Sequence, residues 1–237
     1  MGDTLAFLHL ISKTIMKTSI AAIALLLITS LSQASDCPEL KQNPVSIGDS
    51  WTFKRVFQGG HTSDARILFK ITGQAGDNKY KVQTLTGVVN GLLPTAWRNA
   101  GTADMDSCMN DFFGGGSLGI LDSCNTTFTA GMDWTTEESD KGVKTTQRYQ
   151  VIGQEEVTVG GGSFMATKIE GEWDVAKGAG SGKSSAKSGA PRHHVIYWYA
   201  PGAKTMVKTE REVRNAAGVV TLRTTDELES FRVQRPN

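Results

Sequence analysis

Gly115-Gly116-Ser117-Leu118-Gly119 has the G-x-S-x-G spacing of a hydrolase nucleophile elbow. In that motif a strand enters the serine and a helix leaves it, so that a strained turn lifts the hydroxyl above a parallel sheet. Here an Asp/Asn-rich stretch precedes Ser117, and Cys124 follows before a helix could develop. His193 and His194 lie downstream in an order that a triad permits, which keeps a serine hydrolase as the least favoured of three functional readings. Gly178-Ala179-Gly180-Ser181-Gly182-Lys183-Ser184 has the look of a phosphate loop. That loop needs a glycine where Lys177 stands, and a helix after it to aim its N-terminal dipole at the phosphate. A Gly/Ser loop is the better reading.

Metal ligation is equally poorly supported. Adjacent His193 and His194 on a strand face opposite sides. Asp104 and Asp106 begin like a calcium loop, but Cys108 and Met109 occupy its next ligand and its glycine. No catalytic residue, metal or cofactor is therefore expected. The remaining candidates are aromatic: Trp51, Phe53, Trp173, Tyr197 and Tyr199 fall on inferred strands, with Tyr197 and Tyr199 on one face and Trp198 on the other. Core packing is the plain explanation. An open, curved sheet could instead use them to line an apolar pocket.

The elements that must position these residues begin after a targeting segment. Residues 1–34 read as a signal peptide, with Lys17 as the positive region, Ile20 to Ile28 as the apolar run and Ser32-Gln33-Ala34 as the cleavage site. Met16 is an alternative start. The apolar run is shorter than the roughly 20 residues that span a bilayer, so no transmembrane anchor is expected after cleavage. Asp36 before Cys37 argues against lipid attachment. Residues 35–237 are read as a single β domain with a flexible Gly/Ser/Lys loop at 176–190. That part carries 23 basic and 23 acidic side chains, a balance that offers nothing to nucleic acid. Export permits a disulfide. Of the three pairings open to Cys37, Cys108 and Cys124, Cys108 with Cys124 is favoured, because the two bracket a loop without a strand pattern of its own.

From Trp51 onward the apolar period is two. Trp51, Phe53 and Phe57 share a parity, as do Ile67, Phe69 and Ile71, and Tyr80 with Val82; Lys54, Arg66, Lys70 and Lys81 take the other face. Turns are expected at Gly59-Gly60, Gly76-Asp77-Asn78, Gly160-Gly161-Gly162, Pro201-Gly202 and Asn215 to Gly218. After Gly87 the pattern breaks. Gly91 to Gly101 suggests at most a short helical piece, and Thr102 to Thr127 reads as a long cross-linked excursion. Strands return at Trp134, over Lys144–Ile152, Glu155–Val159, Phe164–Val175, Val195–Ala200, Thr205–Arg214 and Val219–Val233.

An outline is written twice. Gly48-Asp49-Ser50-Trp51 followed by Lys70-Ile71-Thr72-Gly73-Gln74 is echoed by Gly131-Met132-Asp133-Trp134 followed by Gln150-Val151-Ile152-Gly153-Gln154. The offset is 83 residues at the tryptophan and 80 at the later glycine. The fold class that follows is mainly β: a curved antiparallel sheet or half-barrel built from two similar meanders, with few short helices.

The run Val195-Ile196-Tyr197-Trp198-Tyr199-Ala200-Pro201-Gly202, with Val207-Lys208 and a last strand, resembles the closing hairpin of exported bacterial β proteins of unknown function. These are similar to the periplasmic lipoprotein-carrier half-barrels. The resemblance covers Phe164 to Val233 and the two Gly-x-x-Trp strands, and it implies a periplasmic or secreted β domain with an apolar cavity. The chain departs from carriers in its Gly/Ser loop, its cysteines and its lack of lid helices, so the resemblance does not imply lipoprotein transport, and it brings no catalytic residue. Three readings result: an exported binding or envelope-accessory protein holding an apolar small molecule or lipid, or an envelope protein, on its sheet; a structural or interaction module without ligand; and the Ser117 hydrolase.

Overall fold

The computed structural model describes residues 44–58, 64–77, 79–88, 97–106, 108, 110–112, 116–118, 124, 126–140, 143–175 and 191–234. All of them fall in one compact unit, Glu39–Asn237. The alternation of large apolar and charged side chains is satisfied by strands. They are β1 (Ser50–Gln58), β2 (Ala65–Gly76), β3 (Lys79–Val88), β4 (Arg98–Asp106), β5 (Asn110–Asp111), β6 (Gly116–Ser117), β7 (Asp133–Asp140), β8 (Val143–Val159), β9 (Gly162–Val175), β10 (Arg192–Ala200), β11 (Thr205–Arg214) and β12 (Val220–Arg232). No helix occurs among the described residues, and so none that is long and apolar enough to cross a membrane.

Ten strands form one antiparallel sheet in the order β4-β3-β2-β1-β12-β11-β10-β9-β8-β7. Two four-stranded meanders, β1–β4 and β7–β10, are thus joined through the closing hairpin β11–β12. Register fixes the faces, because cross-strand partners share a side. Trp51 lies between Phe69 and Phe231, and Phe53 between Ile67 and Leu228. Val195, Tyr197 and Tyr199 oppose Gly171, Ile169 and Thr167. These are inward positions, whereas Lys54, Lys70 and Lys81 are exposed on the other face.

The sheet is curled rather than flat. The β8–β9 hairpin runs past the end of β10, and its turn reaches β12, three strands away from β9, where Gly161 N–H donates to the Leu228 carbonyl at 2.8 Å. Small residues suit this close crossing: a Cβ on Gly160 would stand 3.3 Å from the Glu229 Cα, and one on Gly161 3.2 Å from the Leu228 side chain, so either neighbour would have to give by a few tenths of an ångström. Phe164 of the same hairpin meets Phe231 at 5.7 Å between ring centroids.

Two apolar clusters fill the structure. One gathers Trp51, Phe53, Phe69, Ile71, Val82, Ala203, Val207 and Leu228; the other gathers Tyr149, Val151, Ile169, Val195, Tyr197, Tyr199 and Met206. The segment between β4 and β7 serves both. Phe112, just beyond β5, stacks on Phe69 at 4.6 Å, while Leu118, just beyond β6, is buried in the second cluster. One short segment can touch both halves because the sheet bends around it.

Two expectations need correction. Arg98–Asp106 is the edge strand β4, paired with β3, rather than a helical piece running into an excursion; the excursion begins after Asp106. Among its described side chains only Met105 reaches the core, and an exposed edge has no need for alternating apolar residues. Likewise Lys144–Ile152 and Glu155–Val159 are one strand, β8, with a bulge between Val151 and Gly153. The signal segment, Cys37, the Gly59-Gly60 turn and the 176–190 loop with its phosphate-loop look-alike lie outside the described residues.

Candidate functional site

The repeated outline is a repeated structure. Gly48 and Gly131 both have positive φ, 96° and 85°, a conformation that glycine alone adopts without strain. Gly48 N–H donates to the Ile71 carbonyl, Ile71 N–H to Asp49 and Asp49 N–H to Ser46, at 2.9, 2.9 and 3.0 Å. Gly131 donates to Val151, Val151 to Met132 and Met132 to Thr129, at 2.8, 2.8 and 3.0 Å. Both second strands then bulge two residues later, at Gly73 and at Gly153. The three-residue drift in offset lies in the hairpin that follows each tryptophan: Trp51 pairs with Phe69, and Trp134 with Tyr149.

Each tryptophan fastens its strand to a different part of the chain. Trp51, fully buried, donates its Nε1–H to the Ala203 carbonyl at 2.7 Å, and so holds the β10–β11 turn. Trp134 donates to the Leu118 carbonyl at 2.9 Å and holds the excursion. The excursion is also clasped covalently, because Cys108 and Cys124 form a disulfide, as the sequence suggested. In the first copy Asp49 adds a polar anchor. Its carboxylate accepts the Ser46 and Gln234 backbone N–H groups at 2.8 and 2.6 Å and pairs with the Lys204 ammonium at 3.1 Å, with both side chains buried. Lys204 adopts φ 57°, which for a residue with a Cβ needs support from its surroundings. The second copy has Met132 in this place.

A polar band separates the clusters on the inward face. Arg55 grips fully buried Asp226 through two bonds of 2.6 and 2.9 Å, and Arg211 approaches the same carboxylate at 3.6 Å from β11. The Arg211 guanidinium also lies over the Tyr197 ring, 5.9 Å from its centroid. On the face of β10 opposite Tyr197, buried Trp198 of the first cluster stands between its cross-strand neighbours Lys168 and Lys208, 5.5 and 5.1 Å from the ring, and donates Nε1–H to Glu155. At the β11–β12 tip, hydrogen bonds from Arg223 and then Arg214 hold the Glu212 carboxyl below its ordinary pKa.

The five aromatic candidates are divided between the clusters. Trp51 and Phe53 are buried in the first, Tyr197 and Tyr199 in the second, where half-buried Trp173 packs and stacks on His193 at 5.1 Å. Ser117 lies within the short strand β6, whose backbone pairs with β5, rather than at the turn where an elbow holds its serine; residues 119–123, where the elbow's helix would begin, lie outside the described residues. Sequence reasoning did not single out Phe112, Lys204, Asp226, Arg55 or Arg211. Only Asp49 carried a signal, as part of Gly-Asp-x-Trp.

The sequence matches no known protein family, and no curated protein matches it. In structure the chain is similar to a candidate lipoprotein from Parabacteroides distasonis, with a TM-score of 0.43 and 12% identity over 80% of this chain and 97% of that one. It is equally similar to a candidate exported protein with a YmcC-like fold from Bacteroides fragilis, with a TM-score of 0.43 and 12% identity over 81% and 99%. The hypothetical lipoprotein YmcC of Escherichia coli follows at 0.37 and 12%, over 80% and 86%. Likenesses at this level name no family for the chain.

Proposed function

We propose that the chain is an exported, non-catalytic binding or envelope-accessory domain, a single β unit over residues 35–237, periplasmic or secreted. The observation that carries this reading is the excursion: a disulfide-clasped segment lies on the inward face and places Phe112 among Trp51, Phe53 and Phe69, with ring centroids 5.0, 6.3 and 4.6 Å away. A ring delivered by a short clasped segment can be replaced by another apolar group at little cost in sheet structure. In this reading an apolar small molecule or lipid sits against the first cluster in the place of Phe112. The signal-like segment and the resemblance of Val195–Gly202 to exported proteins support the location.

Native mass spectrometry of protein purified gently from its producing cell tests this. A co-purifying mass that is lost on denaturation is the expected result. A bare monomer mass would move the assignment to the second reading, an interaction module without ligand. That reading draws on the completeness of the burial at Trp51, Phe53 and Tyr199, where the chain's own side chains fill the face.

A further inference from the structure

The apolar groups of the β11–β12 hairpin tip are not used by either cluster. All ten residues from Arg214 to Arg223 are exposed, and five of them, Ala216, Ala217, Val219, Val220 and Leu222, are aliphatic. Val219 is 58% exposed, Val220 38% and Leu222 36%. The stretch contains no acidic residue. Among the described residues no strand outside its own hairpin pairs with it except at its ends: β1 ends at Gln58 opposite Arg223, and β10 begins at Arg192 opposite Arg214.

We infer that this tip inserts into the interfacial region of a bilayer containing anionic phospholipid, with Arg214 and Arg223 at the headgroups. Three features argue for a membrane rather than a protein groove. The aliphatic side chains run through the turn, Ala216, Ala217 and Val219, and on into the start of β12 at Val220 and Leu222 rather than along one strand face, an arrangement that suits surrounding lipid better than a one-sided protein groove. The turn also bonds part of its own backbone: Asn215 N–H donates to the Val219 carbonyl and Gly218 N–H to the Asn215 carbonyl, while the Asn215 side-chain oxygen accepts from the Ala217 and Val219 N–H groups, which lowers the cost of its leaving water. Finally, Arg214 and Arg223, 45% and 47% exposed, share the one carboxylate of Glu212, leaving a net positive charge at the root of an aliphatic tip. Long basic side chains in that position keep their charge at headgroup level while the tip goes deeper. This inference is independent of the ligand proposed above.

The test uses the full chain with Cys37→Ser and a single added cysteine carrying an environment-sensitive NBD label, at Leu222→Cys or, as a control elsewhere on the surface, at Thr158→Cys. With phosphatidylcholine/phosphatidylglycerol vesicles, the label at 222 is expected to shift to the blue and brighten severalfold while the label at 158 does not. A position-specific signal separates insertion of the tip from any attachment through the apolar run at 20–28. Unchanged emission at 222, or an equal change at 158, would overturn the inference. In the 222-labelled chain, Arg214→Ser with Arg223→Ser should weaken partitioning to anionic vesicles by about fivefold or more. An unchanged coefficient would overturn the role given to the arginines.

Discussion

The two meanders are built on one frame and fastened by different means. In β1–β4 the tryptophan reaches across the fold to Ala203, and Asp49 ties together Ser46, Lys204 and Gln234. In β7–β10 the tryptophan reaches back 16 residues to Leu118, and Met132 stands where the aspartate was. Position accounts for the contrast. β1 is interior, paired with β12, and its first turn faces both the β10–β11 turn and the chain's C-terminal end, whereas β7 is an edge. A copied frame supplies backbone geometry, and each copy adds the side chains that its neighbours require.

The largest effects are expected where the first copy alone depends on long-range ties. Trp51→Ala removes a fully buried ring and orphans the Ala203 carbonyl, and should cost about 3–5 kcal/mol. Trp134→Ala, at a half-buried site, should cost about half as much on the same scale. Equal losses in denaturant titrations would mean that the copies are fastened alike. Asp49→Ala strands the Lys204 ammonium and should also cost about 3–5 kcal/mol. Giving the first copy the second copy's residue, as Asp49→Met together with Lys204→Met, should recover much of that loss. Failure of the double variant to improve on Asp49→Ala would locate the anchor's worth in the Ser46 and Gln234 bonds instead.

Next in size is the clasp. Cys108→Ser with Cys124→Ser should cost about 3 kcal/mol, from a loop with a sequence separation of 16 residues. A smaller comparison concerns equivalent inward positions: Thr84 opposes Phe69 in the first copy, and Gly171 opposes Tyr149 in the second. A Cβ on Gly171 would stand 2.7 Å from the Tyr149 ring and 2.9 Å from Val195. Gly171→Ala should therefore destabilise by about 1–3 kcal/mol, with Thr84→Ala under about 1. Thermal melts showing the reverse order would remove the glycine's packing role.

The smallest effect is a pH dependence. Because Arg223 and Arg214 hold the Glu212 carboxyl low, the unfolded chain binds that proton more readily than the folded one. The stabilisation is complete above the ordinary value of 4.5 and fades as pH falls through the folded value. In Glu212→Gln the acid limb of the stability curve should be slightly shallower below that pH. An identical limb would assign the acid sensitivity to other carboxylates.

The sequence by itself determined the strand period, the repeated Gly-x-x-Trp frame with its bulge glycines, and the candidacy of Cys108 and Cys124. Each is legible because it is local: a left-handed turn needs glycine at Gly48 and Gly131, and a half-buried strand needs alternation. Tertiary structure alone decided what covers each buried face. β4 was hidden because an exposed edge carries little apolar pattern, and the unity of β8 because its bulge resets the parity at Gly153. The Asp49–Lys204 pair spans 155 residues, the Arg55–Asp226 pair 171, and the hairpin contact of Gly161 with Leu228 passes over the two strands between β9 and β12. The five aromatic residues likewise carry the same signal of burial in sequence, yet fall in two clusters. Periodicity reports that a side chain faces inward; only the curl of the sheet brings distant strands together and decides what it meets there.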